Sequence, residues 1–229
     1  GTRPVLGRRR VALLEPAEAM GDVAQNALLK TLEEPPGAMV LILISHVGEG
    51  VLPTIVSRCL KVRFGLVPHP VIESLIDEQR PQYAAVKSLI AALSDGRPAQ
   101  ALQGDWDGLL ARRRQLIDIA GQWPQTDPLW ALRLAGEWDK MGDEDILKEM
   151  NLLQLWFRDL LVLQECPQAG PELLVNKDCL EQLRRQVARW APGRLLEIQQ
   201  LFSQARQRMR QHVNRRLNLD VLLLRISQP

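Results

Sequence analysis

Arg58 stands between Ser57 and Cys59, just after Leu52-Pro53-Thr54-Ile55-Val56, where a short turn leaves a guanidinium at the edge of a domain. If a neighbour's nucleotide reaches it, the planar fork can stabilise charge building on phosphoryl oxygens, a task for which lysine is a poor substitute. Kept within its own chain, the same group pairs with a local carboxylate or caps the preceding turn. The spacing alone leaves both uses open. Further upstream, Asn26 to Glu34 reads as a helix closed by Pro35-Pro36. Lys30, Glu33 and Glu34 fall at i,i+3 and i,i+4 spacing, which by itself describes a solvated, ion-paired face. Glu15-Pro16 ends one apolar run and Ser45 ends another; a strand-end carboxylate or hydroxyl is either an ordinary terminus or part of a site.

The elements that must hold these groups can be read from periodicity. Val11-Ala12-Leu13-Leu14 and Met39 to Ile44 are continuous apolar runs and predict strands buried on both faces. Asp22 is a candidate cap for the helix between them, with Ala24, Ala27, Leu28 and Thr31 on one face. Pro35-Pro36 stops that helix. Gly48-Glu49-Gly50 reads as a loop, and Leu60 to Phe64 (LKVRF) alternates as a third strand. From Pro68 onward the period becomes helical, punctuated by Pro and Gly. Helices are expected at about 70–79, 82–93, 97–103, 105–121, 128–141, 143–164, 177–190, 192–213 and 215–226. The chain is therefore expected to be mainly α. Residues 1–66 form a partial α/β piece, 67–104 a small helical domain and 105–229 a larger helical bundle.

Composition narrows the function classes. The 229 residues are 46% apolar with a formal charge of +2, so bulk electrostatics do not demand a nucleic-acid partner. Cys59, Cys166 and Cys179 form no C-x-x-C pair, which fits a reducing cytosol and neither a disulfide scaffold nor a zinc site. His46, His69 and His212 are scattered, so no metal centre is expected. Nothing reads as a membrane span or a secretory leader. Two basic clusters stand out, Arg8-Arg9-Arg10 and Arg206, Arg208, Arg210, Arg215, Arg216. Without interleaved aromatic residues, each reads first as a solvated face and second as a phosphate contact. The six tryptophans, Trp106, Trp123, Trp130, Trp138, Trp156 and Trp190, read as packing anchors or oligomer contacts.

The strings NALLKTLEEPP and LPTIVSRC at this separation resemble the AAA+ subunits of bacterial DNA polymerase III clamp loaders. The likeness is strong over 11–64, moderate over 67–104 and weaker but compatible beyond. It implies that residues 1–66 are the C-terminal part of an AAA+ domain, 67–104 a helical lid and 105–229 a collar that joins subunits. It also implies an upstream phosphate-binding strand between the strands matching MVLILI and LKVRF. No Gly is followed by Lys here, so these residues cannot form a P-loop, and no cofactor is expected within them.

Carried over residue by residue, Arg58 with Ser57 and Cys59 matches an arginine finger reaching a neighbour's ATP. Glu15 matches the metal-holding carboxylate of the Walker-B strand. Pro16 stands where a catalytic acid would be, and proline can neither take a proton nor orient water. Ser45 matches the γ-phosphate sensor. Asn26, Lys30, Glu33 and Glu34 lie on an interface helix. The lid arginine that contacts ATP falls on Ala99, with Arg97 two residues away. These departures favour a non-hydrolytic stator over an ATP-hydrolysing gamma/tau-type member. The implied partners are gamma/tau ATPase subunits, a delta subunit, a ring-shaped sliding clamp and primer–template DNA. The implied place is the cytoplasm, at the nucleoid through the replisome.

Overall fold

The computed structural model describes residues 10–35, 37, 39–46, 50–124, 127–168, 171–191, 193–211 and 213–228. Arg8, Arg9, Pro36, Gly48, Glu49 and His212, named above, lie outside the described residues. The chain separates into two compact units, Gly1–Gly65 and Leu66–Pro229.

In the first unit, β1 (Arg10–Leu14) and β2 (Met39–Leu43) form a parallel pair in register from Arg10 opposite Met39 to Leu14 opposite Leu43. Backbone bonds extend the pairing past both strand ends: Ile44 N donates to Leu14 O at 3.0 Å and Ala17 N to Ile44 O at 2.7 Å. The crossover carries α1 (Asp22–Glu33), and a short helix, α2 (Pro53–Val56), follows β2.

Four expectations are corrected here. Gly21, not Asp22, is the cap of α1; Asp22 is the first helical residue, where its carboxylate still meets the positive helix end. The buried position of α1 is Gln25, with Leu28, Leu29, Thr31 and Leu32 half-buried, while Ala24 and Ala27 are exposed. β1 is not buried on both faces, since Val11 and Leu13 are 66% and 56% exposed. Residues 60–64 form no strand: Leu60, Val62 and Phe64 stand exposed, with no ladder among the described residues. Alternation expresses a side-chain pattern, but a strand exists only when a neighbour takes up its backbone groups.

The second unit is helical. It comprises α3 (His69–Gln79), α4 (Lys87–Leu93), α5 (Pro98–Gln103), α6 (Trp106–Ala120), α7 (Pro128–Trp138), α8 (Asp143–Glu165), α9 (Leu180–Val187), α10 (Arg194–Arg210) and α11 (Arg215–Ser227). Prolines at the first turn of α3, α5 and α7 mark their starts, because their missing N–H has no helical partner to lose. A 3-10 turn, Pro81–Val86, leads into α4, dividing the helix expected at 82–93. Residues 177–190 likewise divide into a 3-10 turn at Lys177–Cys179 and α9.

A small core joins α3 to α6 through Ile72, Ile76, Tyr83, Ile90, Ala101 and Trp106. Gly96 closes the α4–α5 turn at φ +74°, and its carbonyl accepts from Val67 N at 2.8 Å. A Cβ there would lie 2.6 Å from that of Leu66, so the turn needs both the left-handed backbone and the missing side chain. No helix among the described residues is long and apolar enough to cross a membrane.

The larger core belongs to α6–α11 and is aromatic at its centre. Phe157 stacks on Trp123 at 6.1 Å, meets Trp190 edge-on at 5.4 Å and touches Phe202 at 6.2 Å. Trp106, Trp123, Trp138, Trp156 and Trp190 are buried, and Trp130 packs partly buried at the edge. Ion pairs tie the helices together. Arg215 bonds Asp139 at 3.1 Å and Asp143 at 3.2 Å, and Arg216 bonds Asp220 and Leu132 O, each at 3.0 Å. These two arginines join α11 to α7 and are not part of a free solvated face. A buried polar knot pins residues 175–179. Asp159, fully buried on α8, accepts from Asn176 N at 2.6 Å, Asn176 Nδ2 at 2.8 Å and Val175 N at 3.0 Å. Arg113 on α6, 4% exposed, donates to Asn176 Oδ1 at 2.8 Å and to Asp178 at 2.7 Å.

Candidate functional site

Three candidate residues of the first unit, Glu15, Pro16 and Ser45, lie where β1 and β2 end. Glu15 and Pro16 follow β1, and Ser45 and His46 follow β2. Between them stands Glu18, on the 3-10 turn Ala17–Ala19. Its Oε1 accepts from His46 N at 3.0 Å, it bonds the Ser45 side chain, and Glu15 Oε1 lies 3.8 Å from His46 Nε2. Pro16 offers no side chain able to move a proton beside Glu15. Among the described residues, no three of His, Cys, Asp and Glu are placed to hold a metal ion.

Glu18 was missed in the sequence because nothing local marks its partner, 28 residues away. Its own backbone N–H, and then that of His46, hold its carboxyl below the ordinary 4.5. A depressed carboxylate contributes stability above its unfolded value, and that contribution is lost as pH falls through the folded value. A carbon-shift titration of Glu18 is expected to show a midpoint below 4.5, with protection of the His46 amide, relative to its intrinsic exchange rate, falling over the same window. A midpoint at or above 4.5 would remove this link between the strand ends.

Gln25 is the second residue that sequence reasoning missed. Though 3% exposed, it sits on a helix whose other side chains are exposed or half-buried. Its Nε2 donates to Met20 O at 2.9 Å and Gly50 O at 3.1 Å, and its Oε1 accepts from Leu52 N at 2.7 Å. One carboxamide thus joins the start of α1 to the chain entering α2, whose buried Ile55 anchors the helix. The only signal in the sequence was a polar residue on the inward stripe 25-28-29-32. Gln25→Ala leaves three backbone groups unpaired, and an unpaired buried group costs about 1–3 kcal/mol. The expected loss is about 2 kcal/mol by denaturant midpoint, with exchange rising first at residues 50–52.

Arg58 leaves the end of α2. Its Nη1 donates to Thr54 O at 3.0 Å, and Nη2 meets Glu33 Oε1 of α1 at 2.7 Å. Ser57 Oγ also donates to Thr54 O, at 3.0 Å, and Cys59 is half-buried. The two strings singled out in the sequence therefore meet through one ion pair. Of the interface-helix residues only Glu33 joins it by side chain; Asn26, Lys30 and Glu34 are exposed. Arg58 and Glu33 are 40% and 52% exposed, and such a pair contributes about 0–1 kcal/mol. The guanidinium is thus held in a defined place by a weak, half-exposed pair. In the second unit Ala99 is exposed and carries no charge, while Arg97 leans toward Asp95 at 3.5 Å.

Residues 108–228 match the family "DNA polymerase III, delta subunit, C terminal", and residues 1–67 match "DNA polymerase III, delta subunit". The chain belongs to this family of DNA polymerase III subunits. It is 33% identical over 224 residues to DNA polymerase III subunit delta' of Pseudomonas aeruginosa, an alignment covering 96% of this chain and 66% of that one. DNA polymerase III subunit gamma/tau of Mycobacterium bovis is 30% identical over 250 residues, covering 99% of this chain and 43% of the relative. A gamma-subunit-related DNA polymerase III protein from Thermotoga maritima aligns in space over 99% of this chain and 74% of its own, with TM-score 0.40 and 17% identity. The chain thus spans less than two thirds of the length of the curated relatives named here.

Proposed function

We propose that this chain is a non-catalytic stator of a DNA polymerase III clamp loader, of the delta-prime type, which lends Arg58 to the ATP site of a neighbouring gamma/tau-type subunit. The observation that carries the reading is the Arg58–Glu33 pair, a located but weakly retained guanidinium at the edge of the first unit. Pro16 beside Glu15 and Ala99 in the lid segment support the absence of hydrolysis by this chain itself. Residues 105–229 would serve as the collar, 67–104 as the lid and 1–66 as part of the AAA+ domain. The delta subunit, the sliding clamp and primer–template DNA would meet the chain through the assembly.

The test is ATP turnover by the reconstituted clamp loader, on clamp and primed DNA, with and without Arg58→Ala. Assembly is followed in parallel, and an unchanged rate overturns the reading. A second reading, an ATP-hydrolysing gamma/tau-type subunit, is favoured by the 30% identity to such a protein. There Glu15→Ala, rather than Arg58→Ala alone, would stop hydrolysis by this chain.

A further inference from the structure

The arginines of the two C-terminal helices divide into two sets. Arg215 and Arg216 are engaged in joining α11 to α7. Arg206, Arg208 and Arg210, on the last turns of α10, have no ion-pair partner among the described residues. Of the carboxylates on the helices packed against α10, Glu149 pairs with Arg112, Asp159 with Arg158, Asp143 with Arg215, Asp145 with Lys148 and Asp220 with Arg216.

Arg206 is the telling member. Its Nε and Nη2 are sealed from solvent and find no acceptor. Arg210 lies one turn further along the same face, where like charges repel. Burial, and then the charge of Arg210, lower the Arg206 pKa, so the isolated chain holds this cation at a disadvantage. The carbonyl end of α10 favours cations in its final turn, which accounts for Arg208 and Arg210. It does not satisfy the sealed donors of Arg206.

We propose that Arg210, with the Arg206 side chain turned out of its sealed position beside it on the same face, seats one phosphate of a nucleic-acid backbone. The composition of the face selects this partner over a protein carboxylate. Beside the arginines, the exposed residues of this stretch are Ser203, Gln204, Gln207 and Gln211. The face continues into a shallow groove shared with Gln154, Gln199 and Gln200. Hydroxyls, carboxamides and guanidinia are the groups that contact phosphate and sugar. A protein interface is built on an apolar or aromatic centre, which this stretch does not offer. A contact made to phosphate is blind to base sequence. The inference stands apart from the role of Arg58.

The test is fluorescence anisotropy of a labelled primer–template oligonucleotide binding the full chain across a salt series. For Arg206→Gln/Arg210→Gln, the slope of log affinity against log salt is expected to fall by about 1, equally for unrelated sequences. Thermal stability at low salt is expected to stay level or rise, because a sealed unpaired charge has gone. Arg184→Gln, on α9, should leave the slope unchanged. If the double variant folds poorly, Arg210→Gln alone, at an exposed position, carries the same expectation for the slope. An unchanged slope overturns the proposal, as does an equal loss with Arg184→Gln. Weakened binding to another clamp-loader subunit with the DNA slope intact also overturns it and assigns the face to a protein.

Discussion

If the proposed stator role holds, Arg58→Ala is expected to reduce ATP turnover about 10³-fold or more at the neighbouring ATP site of the reconstituted clamp loader, with assembly unchanged. The comparison of magnitudes decides the direction. The Arg58–Glu33 pair is half-exposed and retains the guanidinium by about 0–1 kcal/mol. A factor of 10³ in rate corresponds to about 4 kcal/mol at the transition state. Under the proposed stator role, the contact made in the transition state outweighs the pair with Glu33, which would then serve as a resting place. Arg58→Lys keeps the charge and loses the fork, so it should recover only a small part of the rate. Glu33→Ala supplies the control. If the pair were merely structural, Glu33→Ala and Arg58→Ala would cost the same fraction of a kcal/mol and leave turnover alone. Under the stator reading, Glu33→Ala frees the arginine and turnover persists.

The largest stability effect is expected from Asp159→Ala. Asp159 is fully buried and accepts from two backbone amides and the Asn176 carboxamide, while Arg158 donates to it at 2.8 Å. Removing the carboxylate strands those donors together, and breaking a buried charged network costs about 3–5 kcal/mol. The change should appear as a lower urea midpoint in the full chain. It should also release residues 175–179, and with them the Asn176–Arg113 contact, whose partners lie 63 positions apart in sequence. Asp159→Asn keeps the volume but replaces an acceptor oxygen with a donor, so it should recover little. A midpoint shift within the range of an exposed substitution, about 0.5 kcal/mol, would mean that the loop is held by its apolar contacts alone.

Much of the second unit was legible because its signals are local. Pro98 and Pro128 mark helix starts, and stripes such as Ile146, Met150, Leu153, Phe157 and Leu160 on α8 appear with their expected inward face. What was illegible is non-local. Arg215 and Arg216 looked like free charge, because Asp139 and Leu132 lie 76 and 84 positions away. The alternation of LKVRF was visible, but the backbone partner that a strand needs is not a property of the segment. At the candidate site, Arg58 and Glu33 were each singled out, whereas their pairing was foreseen only as an unspecified local carboxylate. Gln25 carried the weakest signal, one polar side chain on an inward stripe, because its acceptors are main-chain groups that no composition reveals.

The aromatic centre of the second unit has a spectroscopic consequence. All six tryptophans, and the single tyrosine Tyr83, lie beyond residue 65, in the second unit. Ultraviolet emission and near-ultraviolet dichroism of this chain therefore come almost wholly from that unit. An unfolding curve recorded by tryptophan emission follows the bundle and is nearly blind to Arg58 and its surroundings. Agreement between that curve and one from amide signals of residues 10–65 is thus a direct measure of whether the two units unfold together.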